Sequence, residues 1–174
     1  MPRTLVAYAS RMAATEGIAR AIADEMRRQG IDVDLKPAAD VRDLTGYDAV
    51  ILGSAVYAGR WLRPARTLLK RLAASRQPAH PVRVWLFHSG PLGPAQAKSS
   101  VPAPRKVAAY AIALGADQPT TFGGRIEPAT AKGFLAGSMA KGNLAGDYRD
   151  FPQIAAWAGS IAVELKTSAS GATT

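Results

Sequence analysis

The chain has 174 residues, 48% of them hydrophobic and 20% charged, which suits one domain with a sizeable core and is not typical of a disordered protein. It has no cysteine and only His80 and His88, which excludes disulfides, cysteine nucleophiles and Cys-ligated metals, and we predict no metal site. The net charge is +9, and residues 51–146 carry 13 Lys or Arg against only Asp117 and Glu127. This basic block predicts an anionic partner; nucleic acid is not expected, since no recognisable binding module accompanies the charge.

The chain carries no sequence signal for insertion into a membrane. No apolar run approaches the roughly 20 residues that a spanning helix needs. The apolar stretch at residues 5–9 is also too short for a signal peptide. We expect a cytoplasmic protein, with peripheral contact at a membrane left open as a second location.

The first half of the chain alternates between strand and helix patterns. Residues 5–9 form a nearly continuous apolar run, which is typical of a strand buried on both faces. Apolar residues at spacings of three and four within residues 18–26 predict a helix, and this helix is expected to end at Gly30. Strict alternation over residues 31–35 predicts an outer strand, and the apolar run 49–54 predicts a second buried strand.

The same alternation continues in the second half. Helical spacing predicts a helix over residues 61–75, and an apolar run predicts a third buried strand over 82–87. A helix over 105–114 and a fifth strand over 118–122 follow. A last helix is predicted to begin near Asp150, because Asp can cap a helix and the proline two positions later suits its first turn.

Strands that alternate with helices predict a doubly wound α/β fold with a five-stranded parallel sheet and helices on both faces. We predict one domain over residues 1–166, in which the glycine-rich residues 123–149 form an irregular insertion. The Ser/Thr/Ala/Gly composition of residues 167–174 predicts a disordered tail. In such folds ligands bind at the carboxyl ends of the strands, which directs attention to three loops, at residues 10–15, 54–61 and 88–94.

Each of the three loops has residues suited to a ligand. Ser10 and Thr15 offer hydroxyl groups beside a helix N-terminus, where free amide groups favour an anion. The second loop offers two aromatic side chains and a glycine, and the third offers glycines in a tight turn. Each also has a purely structural interpretation as the end of a strand. The predicted site residues are Ser10, Arg11, Met12, Ala13, Ala14 and Thr15; Ser54, Ala55, Val56, Tyr57, Ala58, Gly59, Arg60 and Trp61; and His88, Ser89, Gly90, Pro91, Leu92 and Gly93.

These motifs resemble the flavodoxin-like family, and more narrowly the flavodoxin-domain branch that includes menaquinone-dependent protoporphyrinogen oxidase. The resemblance rests on residues 6–15, 51–61 and 87–93, and extends over roughly residues 4–165. It implies the strand order 2-1-3-4-5 and FMN as cofactor, with the phosphate in loop 10–15 and the ring between the other two loops. It also implies a quinone as electron acceptor and protoporphyrinogen as donor.

Two features depart from the flavodoxin pattern. Met12, Ala13 and Ala14 stand where flavodoxins usually carry further hydroxyls, so the loop offers fewer side-chain donors to a phosphate, although Arg11 adds charge. The chain is also strongly basic, whereas carrier flavodoxins are typically acidic. No catalytic residue is assigned, because a lone histidine at a strand end such as His88 is more often structural.

A stripe of basic residues begins in the second loop and continues along the predicted helix after it, and it can be a solvated helix face or a docking surface for anionic lipid. Its members are Arg60, Arg63, Arg66 and Lys70, within a basic block that extends over residues 60–141. We therefore predict an FMN-dependent oxidoreductase with a quinone or another small molecule as electron partner, and with peripheral membrane contact. Two alternatives stay open: a non-catalytic flavin or deazaflavin carrier or sensor, and an interaction domain without a cofactor.

Overall fold

The protein is built on one parallel sheet, seen in a computed structural model that describes residues 2–75, 81–90, 100–126 and 146–171. Five parallel strands lie in the order β2-β1-β3-β5-β6, which confirms the predicted doubly wound sheet with the order 2-1-3-4-5. The strands are β1 (Arg3–Ala9), β2 (Asp32–Pro37), β3 (Ala49–Tyr57), β4 (Arg60–Trp61), β5 (Arg83–Gly90), β6 (Thr120–Gly123), β7 (Arg125–Ile126) and β8 (Gly146–Asp147). The helices are α1 (Ala14–Arg28), a 3-10 turn (Ala38–Asp40), α2 (Arg63–Ala74), α3 (Arg105–Leu114) and α4 (Phe151–Gly171).

Side chains of the central strands fill two separate cores because successive residues of a strand point to opposite faces. In β1, Leu5 and Ala7 pack on the side covered by α2 and α3, whereas Val6 packs on the side covered by α1 and α4. All three are fully buried. The continuous apolar run of β1 is therefore explained by helices on both faces, as the sequence predicts.

A β-hairpin at the end of β3 corrects the predicted helix over residues 61–75. The strand β4 pairs antiparallel with β3, with Val56 opposite Trp61 and Tyr57 opposite Arg60, so α2 begins only after this pair. Ala58 (φ 48°) and Gly59 (φ 68°) form the two-residue turn. Positive φ at both corners is the signature of a type I′ turn, whose twist matches the strands, and alanine at the first corner hides it from sequence inspection.

Strand β5 extends through His88, Ser89 and Gly90, which the sequence pattern predicts as part of a loop. The reason is the register of the sheet: His88 lies between Ser54 of β3 and Thr121 of β6, so its backbone continues both ladders. Most of the predicted second loop is likewise strand, because β3 runs to Tyr57. The site residues in these segments are thus held by the sheet itself.

The predicted disordered tail at residues 167–174 is helical as far as Gly171. Two hydroxyl groups turn back onto the helix, since Thr167 Oγ1 donates to the Val163 carbonyl and Ser168 Oγ donates to the Glu164 carbonyl, both at 2.9 Å. Arg83 also donates to Ser168 Oγ at 2.9 Å and pairs with Glu164 at 2.8 Å, which ties this last part of α4 to β5. Residues 172–174 lie outside the described residues.

The predicted insertion at 123–149 is closed at its base by a small ribbon. β7 and β8 pair antiparallel, with Arg125 opposite Asp147, and the Tyr148 amide donates to the Gly124 carbonyl at 2.9 Å. Residues 127–145 lie outside the described residues. Among the helices of the described ranges, none is long and apolar enough to cross a membrane.

Candidate functional site

The predicted site residues gather at the edge of the sheet where β1, β3 and β5 end. The first group follows β1, the second lies on the end of β3 and its hairpin, and the third lies on the end of β5. Pro91, Leu92 and Gly93 are outside the described residues. Of the others, the exposed ones are Arg11, Ala13, Ala58, Gly59 and Arg60; the partly buried ones are Ser10, Met12, Val56 and Tyr57; the buried ones are Ala14, Thr15, Ser54, Ala55, Trp61, His88, Ser89 and Gly90.

The loop after β1 forms a cradle of backbone groups. Ala13, the N-cap residue immediately before α1, has a left-handed conformation with φ 59°, and the first helical hydrogen bond runs from the Gly17 amide to its carbonyl at 3.0 Å. Within the described residues, no side chain caps this helix end. The first-turn amides of a helix have no intrahelical partner, and turn geometry of this kind concentrates N–H groups around an anion. The backbone of residues 10–15, which we name the phosphate cradle, is therefore suited to bind a phosphate group.

Three side-chain contacts join the three segments in pairs. The guanidinium of Arg11 lies over the Tyr57 ring, 5.2 Å from its centroid, and connects the first segment with the hairpin. Thr15 Oγ1 and Ser89 Oγ are hydrogen-bonded at 2.7 Å and connect the first segment with β5. The indole of Trp61 donates to His88 Nδ1 at 3.4 Å and connects the hairpin with β5. The three segments thus form one structural unit.

Burial of Tyr57 and the cation beside it act on the phenol in opposite directions. Partial burial raises the pKa of Tyr57 above its usual range, while the nearby Arg11 lowers it, and burial is the larger effect. The hydroxyl therefore stays protonated at neutral pH. A protonated, partly buried aromatic ring beside an exposed hairpin is suited to lie along a flat heterocycle.

His88 is fully buried and its contacts determine its tautomer. An indole N–H can only donate, so His88 Nδ1 accepts from Trp61 and the proton of the neutral ring is on Nε2. Nε2 then donates to Thr121 Oγ1 at 2.9 Å, and the same oxygen accepts from the Val101 amide at 3.0 Å. Burial lowers the pKa of His88, which keeps the ring neutral. Through these contacts, His88 connects the hairpin residue Trp61 with Thr121 of β6.

We expect His88 to make the folded state sensitive to acid. Because burial lowers the pKa of His88 in the native protein, the unfolded chain, with a pKa of about 6.5, binds the proton more readily. The stability that neutral His88 provides is therefore fully present above pH of about 6.5, and it is lost progressively as the pH falls from that value to the lowered pKa of the folded state. Urea unfolding of wild type and His88→Gln across this range measures it: the variant should show the flatter pH dependence, and equal slopes would contradict the assignment.

The Ser54 hydroxyl supports the hairpin from within. Ser54 Oγ donates to the Ala55 carbonyl at 2.8 Å and accepts from the Leu62 amide at 2.9 Å. Ser54, Trp61 and His88 thus direct their polar atoms to protein partners. Their direct contact with a cofactor stays a prediction, whereas their effect on the hairpin is visible in the structure.

Two features of the site escape sequence inspection. Thr121 completes the His88 contacts. In the sequence it stands out only as a β-branched residue near the end of a predicted strand, which does not indicate this contact. Gly17 lies inside α1, where glycine costs about 1 kcal/mol relative to alanine, so its presence signals a close approach. In the structure the guanidinium of Arg149 approaches Gly17, so a Cβ there would require the end of this side chain to shift. Arg149 pairs with both carboxylate oxygens of Asp147, at 2.8 and 2.6 Å.

Comparison with known proteins agrees with this geometry. Residues 5–130 match the family model described as the flavodoxin domain. No curated protein sequence matches the chain at a significant level. Among solved structures, a flavodoxin from the domain Archaea is similar at 19% identity and a TM-score of 0.64, over 94% of this chain and 99% of that chain.

Two further structures share the fold. Oxidised flavodoxin 2 from Bacillus cereus is 20% identical with a TM-score of 0.59, over 95% of this chain and 99% of that chain. The rubredoxin oxygen:oxidoreductase from the anaerobe Desulfovibrio gigas is 19% identical with a TM-score of 0.62, over 95% of this chain but 36% of that chain. At these identities the structures show the fold alone. The family model, which covers most of the sheet and all described residues of the site, goes further: the chain belongs to the flavodoxin domain family, and this membership implies FMN as its cofactor.

Proposed function

We propose that this chain is an FMN-dependent oxidoreductase that passes electrons to a quinone. The observation that supports it most directly is the joining of the three segments by Arg11–Tyr57, Thr15–Ser89 and Trp61–His88. These contacts hold the phosphate cradle beside an exposed hairpin. Together the two suit a ligand with a phosphate at one end and a flat ring at the other. Bound FMN supplies the electron chemistry, and the protein supplies orientation and access.

Each segment has a distinct part in this proposal. The backbone of residues 10–15 and the Ser10 hydroxyl bind the phosphate, and the Arg11 cation balances its charge. Tyr57 and the exposed turn at Ala58 and Gly59 lie along the ring. Trp61 and His88 keep the hairpin in place from the core side, and they exclude water from the strand ends behind it.

Exposure of the hairpin suits a small electron partner. Ala58, Gly59 and Arg60 are all exposed, so a planar molecule can approach this edge without rearrangement of the core. A quinone that accepts an electron pair and two protons there leaves as a quinol. Protoporphyrinogen is a fitting donor because its carboxylates suit the exposed cation Arg60, and the resemblance to the protoporphyrinogen oxidase branch adds to this choice.

We expect the purified protein to retain FMN and to reduce a quinone. FMN is added, unbound cofactor is removed by desalting, and the visible absorption spectrum is recorded; flavin bands should remain with the protein. Reduction of menadione is then followed with protoporphyrinogen as donor, against free FMN at the same concentration as control. Turnover above that control supports the oxidoreductase.

The other outcomes separate the alternatives. Retained FMN without quinone reduction by any supplied donor would contradict the enzyme and favour an electron carrier or sensor. A colourless protein that releases added FMN would contradict the whole proposal, and retention of a deazaflavin in its place would identify the other cofactor class. Reduction of quinone by a different donor, but not by protoporphyrinogen, would overturn only the proposed identity of the donor.

A further inference from the structure

The two helical layers of the protein differ in how their basic residues are paired. On the face covered by α1 and α4, basic side chains meet acidic ones: Arg20 pairs with Glu16 at 3.2 Å, and Arg27 pairs with Asp24 at 3.2 Å. Arg28 and Glu25 form a third pair on α1. Positive charge on this face is therefore largely compensated within the protein.

In the opposite layer Arg71 of α2 lies near Asp43, but among the described residues the other basic side chains of the two helices lack such compensation. The helices α2 and α3 contain no Asp or Glu, and five exposed basic residues occupy their outer sides. In the described ranges of the chain, none of the five has an ion pair. We name them the cationic face: Arg63, Arg66, Lys70, Arg105 and Lys106.

The cationic face is broad and formed by two neighbouring helices. α2 and α3 contact each other on the same side of the sheet. α2 directs Leu68 and Leu69 into the core and α3 directs Val107 inward, so the basic residues of both helices point away from the sheet. Because α2 alone is about 18 Å long at 1.5 Å per residue, the charges extend over more than one Debye length.

An apolar side chain stands on the same outer surface. Ile112 of α3 is 74% exposed, the largest value among the exposed large hydrophobic residues of the described part. It lies two helical turns from Arg105 and on the same side of α3, whereas Val107 and Ala111 are buried. Cationic side chains together with an exposed apolar one are typical of surfaces that bind the headgroup region of a membrane.

We propose that the cationic face docks on a bilayer surface that contains anionic lipids. A lipid surface is planar and its negative charges move laterally, so it matches cations spread over two helices without a defined groove. Ile112 then enters the headgroup region beside them. α2 begins directly after the hairpin, so docking brings the exposed Arg60 and the cofactor edge next to the bilayer, where an apolar quinone resides.

Vesicle sedimentation tests the proposal. Wild type should bind vesicles of phosphatidylcholine with phosphatidylglycerol and should not bind phosphatidylcholine alone. Replacing Arg63, Arg66 and Lys70 by Gln should weaken this binding about a hundredfold, since each cation near such a surface contributes about 1 kcal/mol. The matched control replaces Arg20, Arg27 and Arg28 of α1 by Gln; it removes the same charge from the other face and should keep most of the binding. All six positions are exposed, and circular dichroism verifies folding.

Further binding measurements distinguish a lipid surface from an acidic protein partner. Ile112→Ser should reduce the part of the binding that persists at raised salt. Failure of wild type to bind the anionic vesicles, or equal losses in the two triple variants, would overturn the proposal. Binding to poly-glutamate but not to vesicles would also overturn it and indicate an acidic protein partner. The docking does not depend on the cofactor, so retention of FMN without vesicle binding rejects docking and leaves the proposed function intact.

Discussion

Gly53→Ala should lower the free energy of unfolding by about 2–3 kcal/mol, because the added methyl group has no space. A Cβ on Gly53 would lie 2.0 Å from Cζ of Phe87 and 2.3 Å from both neighbouring ring carbons. Phe87 cannot move aside easily: it is fully buried, with Phe122 at 6.0 Å and Trp157 at 6.1 Å between ring centroids. Urea denaturation measures the loss.

A second glycine provides the matched control. Gly159 lies in α4, where a Cβ would meet only Glu25 Oε1, at an ordinary contact distance of 3.7 Å. Gly159→Ala should therefore stabilise the protein by up to about 1 kcal/mol through helix propensity and the restricted unfolded chain. Adding Phe87→Leu to Gly53→Ala should recover part of the loss, since the smaller side chain leaves room. Gly53→Ala as stable as wild type would contradict the packing.

Thr15→Val should weaken FMN binding by at least tenfold and also destabilise the protein. The two side chains have similar shape, but valine leaves Ser89 Oγ, which is buried, without the hydroxyl that bonds it at 2.7 Å. A buried polar group without a partner costs about 1–3 kcal/mol. The change also loosens the connection between the phosphate cradle and β5. FMN titration and urea denaturation measure the two effects.

A double variant separates structure from ligand contact. Ser89→Ala together with Thr15→Val removes both hydroxyls, so no buried group is left unpaired and stability should return close to that of wild type. FMN affinity should stay low if Thr15 also contacts the phosphate, as its hydroxyl beside the helix N-terminus predicts. Full recovery of affinity in the double variant would contradict that contact. Thr15 would then affect FMN binding only through its hydrogen bond to Ser89. Thr15→Ser, which keeps the hydroxyl, should bind FMN nearly as well as wild type.

Strand positions were predictable where burial on both faces leaves a simple signal. The apolar run at residues 49–54 predicts the core of β3, and the run at 5–9 predicts β1, because helices cover both sides of each strand. The hairpin at the end of β3 has no such signal. Its turn needs positive φ at Ala58, a conformation that alanine rarely adopts, and Leu62 continues the helical apolar spacing backward from α2.

Sequence patterns are sufficient to predict the fold class, the three segments of the candidate site and the excess of positive charge in the middle of the chain. Local patterns are sufficient for these because burial, turn chemistry and charge are properties of short stretches. Which side chains contact each other depends on how the strands and helices pack in three dimensions. Thr15 and Ser89 are 74 positions apart and Trp61 and His88 are 27 apart, and they touch because parallel strands end at a common edge. The cationic face likewise exists only because both crossover helices, α2 and α3, pack on the same side of the sheet, where their unpaired charges combine.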